Sequence, residues 1–410
     1  MPATFGIVDL FAGPGGLGEG FTSLEAGGKR PFHIGISVEK EASAHRTLRL
    51  RAFLRDHVSR HGDLPEAFVK FHAGLTDEPD WSEVDATAWT EATTEARCLE
   101  LGNEAAAAAI DEAIGRLGQR FDDTILIGGP PCQAYSLVGR ARSRGKTDYV
   151  PEEDHRHYLF REYIRVLDRL RPAAFVMENV KGMLSSTVES RLVFEMLMED
   201  LASLGTGHSH HYELRAIRLA DGMATLQEAA QPSDFIVRAE QFGVPQRRHR
   251  VIIVGIRSDL AARAVGASIS VSGPTRTVDE TIGNMPPLRS GISRATDAAE
   301  AWKKEVAGFA RLLAKISKGD EDGTLALEFR ALTEVLKHGA ETRRSAAMLP
   351  AAYGTSNDDL MRWLERPGLR ALAQHETRGH MATDLGRYLF AAVFGKVRGY
   401  SPKAADFPLA

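Results

Sequence analysis

The sequence is poor in cysteine: its 410 residues contain only Cys98 and Cys132. Two cysteines are too few for a disulfide-stabilised scaffold or a cysteine-rich zinc site, and they fit a reducing compartment. No apolar run approaches the roughly 18 residues that a membrane-spanning helix needs. The N-terminus, MPATFGIVDLF, lacks the charged region and cleavage pattern of a signal peptide. We therefore expect a soluble, cytoplasmic protein.

The chain also has no large excess of charge of one sign: it contains 51 Lys and Arg residues and 55 Asp and Glu residues, which give a net charge of -4. A nucleic-acid partner must therefore be argued from local patterns rather than from the whole chain. The contents of 43% hydrophobic and 26% charged residues exclude disordered and collagen-like proteins. The length favours two or three domains.

Short β-rich runs alternate with helical patterns over residues 1–260, which predicts a parallel sheet with crossover helices. Most of the strand candidates are continuously apolar, as strands buried on both faces are. We predict an α/β fold with a doubly wound, mostly parallel sheet. The alanine-rich segment 91–118 is interpreted as a surface helix or insertion, and Cys98 beside it as a small buried apolar residue. The strand candidates are Phe5–Phe11, Phe32–Val38, Thr124–Ile127, Ala173–Met177 and Val251–Ile256.

The pattern changes after about residue 285. Pro286, Pro287 and Gly291 precede a long helix-prone stretch from Asp297 to Leu349 that has no strand–helix alternation. We therefore predict a boundary that divides the chain into residues 1–285 and a second, smaller domain of residues 286–410.

A glycine-rich loop follows the first strand candidate, in the segment DLFAGPGGLGEG that begins at Asp9. Gly13, Gly15 and Gly18 satisfy the pattern G-x-G-x-x-G, in which glycine allows tight turns and close approach to a ligand. Glu39 ends the second strand 21 residues after Gly18, where a carboxylate can accept the hydroxyl protons of a ribose. A nucleoside-containing cofactor is favoured over a turn that only reverses the chain; NAD and S-adenosylmethionine both remain open.

A second loop, IGGPPCQAYS from Ile127 to Ser136, places Cys132 at the carboxyl end of another strand, where open α/β sheets bind ligands. Two prolines fix the backbone before the thiol, so we interpret Cys132 as a nucleophile rather than a buried apolar residue. The segment GRARSRGK follows at Gly139–Lys146 and has four cations in seven residues. This segment is either a loop that binds phosphates or a solvated surface.

Together these motifs resemble those of the bacterial C5-type cytosine-specific DNA methyltransferases, over about residues 5–290. The match rests on DLFAGPGG at Asp9–Gly16, on Glu39, on GPPCQ at Gly129–Gln133, on ENV at Glu178–Val180 and on QRRHR at Gln246–Arg250. The resemblance implies the α/β fold of S-adenosylmethionine-dependent methyltransferases. It also implies a catalytic and cofactor-binding domain at 1–285 and a target-recognition region at 286–410.

The resemblance implies a role for each catalytic residue. A cytosine flipped out of duplex DNA would receive the thiolate of Cys132 at C6, which activates C5 for methylation. Glu178 would hydrogen-bond to N3 and the amino group of the cytosine, Arg250 would bind its O2, and Arg248 would orient the loop or the base.

The implied cofactor is S-adenosylmethionine, with no metal ion. Phe11 would lie against the adenosine, Glu39 would hold the ribose, and Pro130 would line the methyl path. The backbone of Gly13, Gly15, Gly16 and Leu17 would approach the methionine moiety.

The sequence departs from the family pattern because it lacks the closing Thr-x-Arg-Glu and Gly-Asn-x-Val-Pro segments. We therefore expect a fragment, the product of a truncated gene, or one half of a split enzyme in which a second polypeptide supplies them. Two alternatives stay open, a tRNA cytosine-C5 methyltransferase and a non-catalytic DNA-binding subunit of a split enzyme. A dehydrogenase would leave the cysteine, Glu-Asn-Val and arginine motifs unexplained. Restriction–modification, phage defence and regulatory methylation would all use the same motifs.

Overall fold

The computed structural model describes residues 3–130, 159–188, 191–203, 211–271, 273, 275–317, 323–338, 343–350, 359–366 and 369–408. The chain separates into two compact units. The first consists of Met1–Phe68 and Glu78–Thr281, and the second of Val69–Asp77 and Ile282–Ala410. The functions expected for residues 1–285 and 286–410 stay predictions.

Twelve strands lie in the described part of the first unit. They are β1 (Phe5–Leu10), β2 (Phe32–Glu39), β3 (Ala96–Cys98), β4 (Asp123–Gly128), β5 (Ala174–Val180), β6 (Thr187–Val188), β7 (Arg191–Leu192), β8 (Tyr212–Ala220), β9 (Met223–Gln227), β10 (Ile236–Arg238), β11 (His249–Arg257) and β12 (Ser268–Ser270). Ten of them form one sheet in the order β12-β9-β8-β11-β5-β4-β1-β2-β3, with β10 beside β11, whereas β6 and β7 pair separately.

The sheet has a parallel part and an antiparallel part. Strands β3, β2, β1, β4 and β5 run parallel, and β11 and β8 continue the sheet in antiparallel pairing. The order of the parallel strands reverses direction between β1 and β4, which is the switch point where open α/β sheets bind ligands. The predicted mostly parallel α/β sheet is therefore confirmed.

Helices cover both faces of this sheet. The helices described between Phe5 and Ile282 are, along the chain, α1 (Gly16–Thr22), α2 (Ala42–His61), α3 (Glu66–His72), α4 (Trp81–Val84), α5 (Ala86–Glu95), α6 (Glu104–Arg120), α7 (Leu159–Leu170), α8 (Val193–Ser203), α9 (Ser258–Ala264) and α10 (Val278–Ile282). Successive strand residues point to opposite faces. Val8 and Leu10 therefore pack with α6, α7 and α8, whereas Ile7 packs with Leu17 of α1 on the other face. This burial on both faces explains the continuous apolar runs of β1 and β4.

The alanine-rich segment contains a helix, as predicted, but this is a crossover helix packed on the sheet rather than a surface helix or an insertion, so that part of the prediction is wrong. Helix α6 buries Ala106, Ile110, Ala113 and Leu117 in the main core. A Cβ atom added to Gly35 of β2 would lie only 2.3 Å from Leu117. The missing side chain of Gly35 is what lets Leu117 of α6 pack tightly on the sheet.

The prediction that Cys98 is buried is also wrong. Cys98 is exposed, and its thiol donates to the carbonyl oxygen of Lys40 at a distance of 3.8 Å. It is the last residue of β3, the terminal strand in the described sheet. The outer side of an edge strand has no neighbouring strand, so an apolar residue there is not necessarily covered.

Two glycine substitutions test the packing of the first unit. An added Cβ at Gly255 of β11 would lie 2.0 Å from the fully buried ring of Phe175. We expect Gly255→Ala to lower the free energy of unfolding by about 1–3 kcal/mol, because the ring must shift within a close-packed core. The exposed Gly115 of α6 has no atom within 4 Å of an added Cβ. Gly115→Ala should instead stabilise the protein by about 0.5–1 kcal/mol. Urea unfolding measures both changes. This account would be wrong if both substitutions changed the free energy of unfolding in the same direction.

The second unit is mainly helical in its described residues. It contains α11 (Ala299–Ile316), α12 (Thr324–His338), α13 (Asp359–Leu364) and α14 (Ala382–Arg398), with a short parallel pair of β13 (Gly291–Ile292) and β14 (Gly379–His380). Leu313, Phe329, Phe390 and Phe394 form its apolar core. In the described part of the chain, no helix combines the length and the apolarity needed to cross a membrane.

Candidate active site

The predicted site residues lie at the carboxyl edge of the parallel strands. Leu10 of β1 is paired with Gly128 of β4, and Gly128 is paired with Met177 of β5. Phe11 follows Leu10, Gly129 follows Gly128, and Glu178 follows Met177. Because paired strands lie about 4.8 Å apart, the glycine-rich loop, the cysteine loop and the Glu-Asn-Val motif start side by side.

The glycine-rich loop turns sharply after β1. Phe11, Gly13 and Gly15 have φ angles of 56°, 57° and 89°, in the left-handed region that favours glycine. For Phe11 this conformation is uncommon, and such backbone is concentrated at functional sites. The N–H of Ala12 donates to the carbonyl oxygen of Val38 at 3.1 Å, which ties the loop to the end of β2.

Glu39 is joined directly to this loop. Its Oε2 accepts from the N–H of Gly13 at 2.8 Å, and its Oε1 accepts from the N–H of Glu41 at 2.7 Å. Both oxygens of this half-buried carboxylate keep a further lone pair for a ligand. A Cβ atom added at Gly13 or Gly16 would meet no atom within 4 Å, so the loop borders open space. The loop and the acid therefore fit a ribose-bearing cofactor.

Helix α1 follows the loop and packs closely on the sheet. A Cβ atom added to Gly18 would lie 2.8 Å from Ile34 and 3.1 Å from Oδ2 of Asp9. The third glycine of the pattern thus serves helix–strand packing. The neighbouring Leu17 packs against the apolar cluster that contains Ile7 and Ile127.

Asp9 is a residue whose importance the sequence reading missed. It is fully buried on β1, and both its carboxylate oxygens lack a hydrogen-bond partner among the described residues. Burial is the main cause that raises the pKa of Asp9 to about 8; the charges of Glu95 and Glu39 raise it further, while Arg55 opposes them. Asp9 is the first residue of the DLFAGPGG motif. The sequence signal that could have identified it is an ionisable residue within an otherwise apolar strand.

The beginning of the cysteine loop is fixed by Asn179. The buried side chain of Asn179 donates from Nδ2 to the carbonyl oxygen of Pro130 at 3.0 Å, and its Oδ1 accepts from the N–H of Val180 at 2.8 Å. Cys132 itself and the basic segment Gly139–Lys146 lie outside the described residues. Asn179 was quoted in the Glu-Asn-Val motif without a role, and the structure shows it holding the carbonyl of Pro130.

Glu178 and Arg250 form an ion pair at the same edge. Nε of Arg250 lies 2.7 Å from Oε1 of Glu178, and a guanidinium nitrogen of Arg248 lies 4.0 Å from the same oxygen. Strand β11 runs antiparallel to β5, with Arg250 opposite Val180. The first residues of β11 therefore lie where β5 ends. A Cβ atom added to Gly129 would lie 3.2 Å from Oε2 of Glu178, so the cysteine loop leaves β4 beside this carboxylate.

The residue between the two arginines faces another partner. His249 is paired with Glu240, with Nε2 2.8 Å from Oε1. This hydrogen bond is the main cause that lowers the pKa of Glu240. Alternation along an extended chain directs Arg248 and Arg250 toward Glu178 and His249 away from it.

The structure thus brings the predicted residues of the described chain to one sheet edge, in two groups. The first group is the glycine-rich loop with Glu39. The second is the Glu178, Arg248 and Arg250 cluster beside Gly129 and Pro130. The roles assigned to these residues stay predictions.

Comparison with known proteins identifies the family. The family model described as C-5 cytosine-specific DNA methylase matches residues 108–346, more than half of the chain. The chain therefore belongs to this family.

Individual relatives agree with the family model. The type II methyltransferase M.Bpa9945I of Bacillus paralicheniformis is 30% identical over 280 residues, which are 62% of this chain and 54% of that protein. The type II methyltransferase M.AquIA of Picosynechococcus is 26% identical over 313 residues, which are 73% of this chain and 96% of that protein. The DNA-cytosine methyltransferase of Escherichia coli K12 is 28% identical over 264 residues, 63% of this chain and 44% of that protein. The chain thus spans about half the length of the first and third.

Proposed function

We propose that this protein transfers a methyl group from S-adenosylmethionine to C5 of a cytosine in duplex DNA. The observation that carries the proposal is the ion pair between Glu178 and Arg250, which lies beside Gly129 and Pro130 at the carboxyl edge of the sheet. This edge is where open α/β sheets place their ligands.

Glu178 and Arg250 are complementary to one edge of a cytosine ring. The amino group donates a hydrogen bond, and N3 can donate one once it is protonated, so both need an acceptor in the reacting base; the carboxylate of Glu178 supplies it. The neighbouring O2 needs a donor, and the guanidinium of Arg250 supplies that. The ion pair holds the two groups side by side before a base arrives. A base inside a duplex cannot reach them, so we propose that the target cytosine is flipped out of the helix.

The covalent step is assigned to Cys132, two residues after Pro130. Its thiolate adds to C6 while N3 takes up a proton from water, and Glu178 stabilises the protonated N3. C5 thereby gains the electron density needed to take the methyl group, and the demethylated cofactor is left as a thioether. A water molecule then accepts the proton from C5, the C6–S bond breaks to release the thiolate, and N3 returns its proton to water as the aromatic ring is restored. Asn179 supports this step by fixing the carbonyl of Pro130.

The cofactor supplies the electrophilic methyl group when it is bound. Glu39 would hold the ribose, Phe11 would lie against the adenosine, and Pro130 would border the methyl path. The open space at Gly13 and Gly16 admits the methionine moiety close to the backbone, with Gly15 and Leu17 shaping the same loop.

We also propose a biological role for the reaction. Relatives of this chain are named type II methyltransferases, which favours a role in restriction–modification. Residues 286–410 would then recognise the target sequence. The second polypeptide expected from the sequence stays a prediction, and the experiment below includes an arm for it.

Covalent trapping tests the proposed function. The full chain is incubated with S-adenosylmethionine and mixed-sequence duplex DNA that contains 5-fluorocytosine, which cannot release the enzyme because fluorine replaces the proton at C5. We expect an adduct that survives denaturing electrophoresis and that Cys132→Ser does not form. The same duplex without fluorine should accept tritiated methyl groups.

Three control arms separate the alternatives. Methyl transfer to tRNA but not to duplex DNA would replace the proposal by the tRNA methyltransferase alternative. DNA binding without an adduct, even after a cell extract supplies other polypeptides, would favour the non-catalytic subunit. Stabilisation of the chain by NADH but not by S-adenosylmethionine in a thermal-shift assay would overturn the cofactor assignment.

A further inference from the structure

Two histidines and an aspartate meet at the end of helix α2 that is remote from the candidate active site. His57 and His61 lie one helical turn apart on α2, and their ring centroids are 4.4 Å apart. Asp85 is the residue before helix α5. Its Oδ2 lies 2.8 Å from Nδ1 of His57 and 3.2 Å from Nε2 of His61. The three ligand atoms all lie within 4.8 Å of one another.

We propose that His57, His61 and Asp85 bind a divalent transition-metal ion of the zinc class. Two imidazoles and one carboxylate are the ligand types that Zn²⁺, Co²⁺ and Ni²⁺ accept, whereas Mg²⁺ and Ca²⁺ prefer oxygen ligands alone. A tetrahedral zinc ion with bonds of about 2.0–2.2 Å holds its ligand atoms roughly 3.3–3.5 Å apart. The distances of 2.8 and 3.2 Å from Oδ2 of Asp85 to the two imidazole nitrogens lie just below that spacing.

The surroundings hold the ligands in place. Oδ1 of Asp85 accepts from the N–H of Ala88 at 3.0 Å, so the carboxylate is oriented by its role as a helix cap and presents Oδ2 to the ion. The ring of His57 stacks on the buried ring of Phe53, with centroids 5.9 Å apart. Partners of this kind fix the orientation of metal ligands. His61 is half exposed, which leaves a fourth position open to water.

The site is structural and independent of the proposed function. His57 lies fifteen residues after Ala42, the first residue of α2, and the helix rises about 1.5 Å per residue. The ion is therefore about 22 Å along α2 from the end that follows Glu39. Bound there, it joins α2 to the beginning of α5 and stabilises the folded chain by its preference for the assembled ligands.

The alternative is a triad without metal, in which both imidazoles donate to the single oxygen Oδ2. The two forms differ in whether added Zn²⁺ binds to the protein and raises its melting temperature. The full chain, without a histidine tag and stripped with a chelator, is titrated with Zn²⁺ in a thermal-shift assay and with Co²⁺ in visible absorption. We expect one ion per chain, a rise of several degrees in the melting temperature, and the intense visible bands of four-coordinate Co²⁺.

Three variants make the test specific. His61→Ala changes a half-exposed side chain, and Asp85→Asn keeps a helix-capping residue but weakens the ligand; we expect each to weaken Co²⁺ binding at least tenfold. His211→Ala removes an exposed histidine outside the site and should bind as the unmodified chain does. The proposal is overturned if the unmodified chain takes up no Co²⁺ or if His61→Ala and Asp85→Asn bind it unchanged. None of these outcomes depends on methyl transfer.

Discussion

Replacing Glu178 by glutamine is expected to lower the turnover of methyl transfer by about 10²- to 10⁴-fold, the usual loss when a positioned acid–base group is removed. A glutamine at this position would keep the size of the side chain, but it can neither carry the charge that pairs with Arg250 nor stabilise a proton on N3 of the base. The loss should fall on the maximal rate with saturating DNA and S-adenosylmethionine. The thermal shift produced by the cofactor should stay unchanged, because Glu39 and the glycine-rich loop are untouched.

A matched variant separates this effect from the loss of an ion pair. Glu213 of β8 pairs with Arg215 in the same sheet, away from the edge that carries the site. Glu213→Gln removes a comparable, partly buried ion pair and should leave the methyl-transfer rate within about twofold, because the pair lies away from the site and changes at distant sites act independently. If Glu178→Gln also kept its rate, or if it lost binding of S-adenosylmethionine together with the rate, the role proposed for Glu178 would be wrong.

The parallel half of the sheet was predictable because its signals are local. β1 and β4 are buried on both faces, so each appears in the sequence as one apolar run bounded by turn residues. The prediction for the segment around α6 was wrong because the packing of this helix depends on a nonlocal neighbour. Alanine does not distinguish a solvated helix from one that packs tightly on a sheet, and only the neighbouring Gly35 decides between them.

The candidate site was predictable as a set of residues but not as a geometry. Glu178 and Arg250 are 72 positions apart, and nothing local indicates that β11 pairs antiparallel with β5. That pairing places the beginning of β11 at the carboxyl edge of the sheet. The contact of Asn179 with Pro130 is equally nonlocal, since it joins the ends of β5 and β4. Non-local pairings of this kind depend on the whole sheet.

Replacing Asp9 by asparagine should remove a large pH dependence of stability. The pKa of Asp9 is about 8 in the folded chain, because burial disfavours its charged form, against about 3.9 in an unfolded chain. Between these values the folded state keeps a proton that the unfolded state releases. The contribution of Asp9 is therefore fully present below about pH 4 and is lost as the pH rises through about 8.

The expected size follows from the same pKa difference. The free energy of unfolding of the unmodified chain, relative to that of Asp9→Asn, should fall by up to about 1.4 kcal/mol per pH unit, or roughly 5 kcal/mol between pH 4 and pH 8. Asparagine has the shape of the protonated acid and cannot ionise, so the two chains should be similar in stability near pH 4. Urea unfolding of both chains at several pH values measures the difference between their free energies of unfolding. The titration of other groups is common to the two chains and cancels in this difference.

A second aspartate supplies a control of opposite sign. The exposed Asp122 accepts from the backbone N–H and the hydroxyl of Thr4, and the backbone hydrogen bond is the main cause that lowers its pKa. Its contribution is present above the unfolded pKa and is lost as the pH falls, so Asp122→Asn should differ from the unmodified chain most at neutral pH and least in acid. If the difference for Asp9→Asn did not change with pH, Asp9 would be ionised in the folded chain. A counter-charge within the sheet would then be required to hold it there.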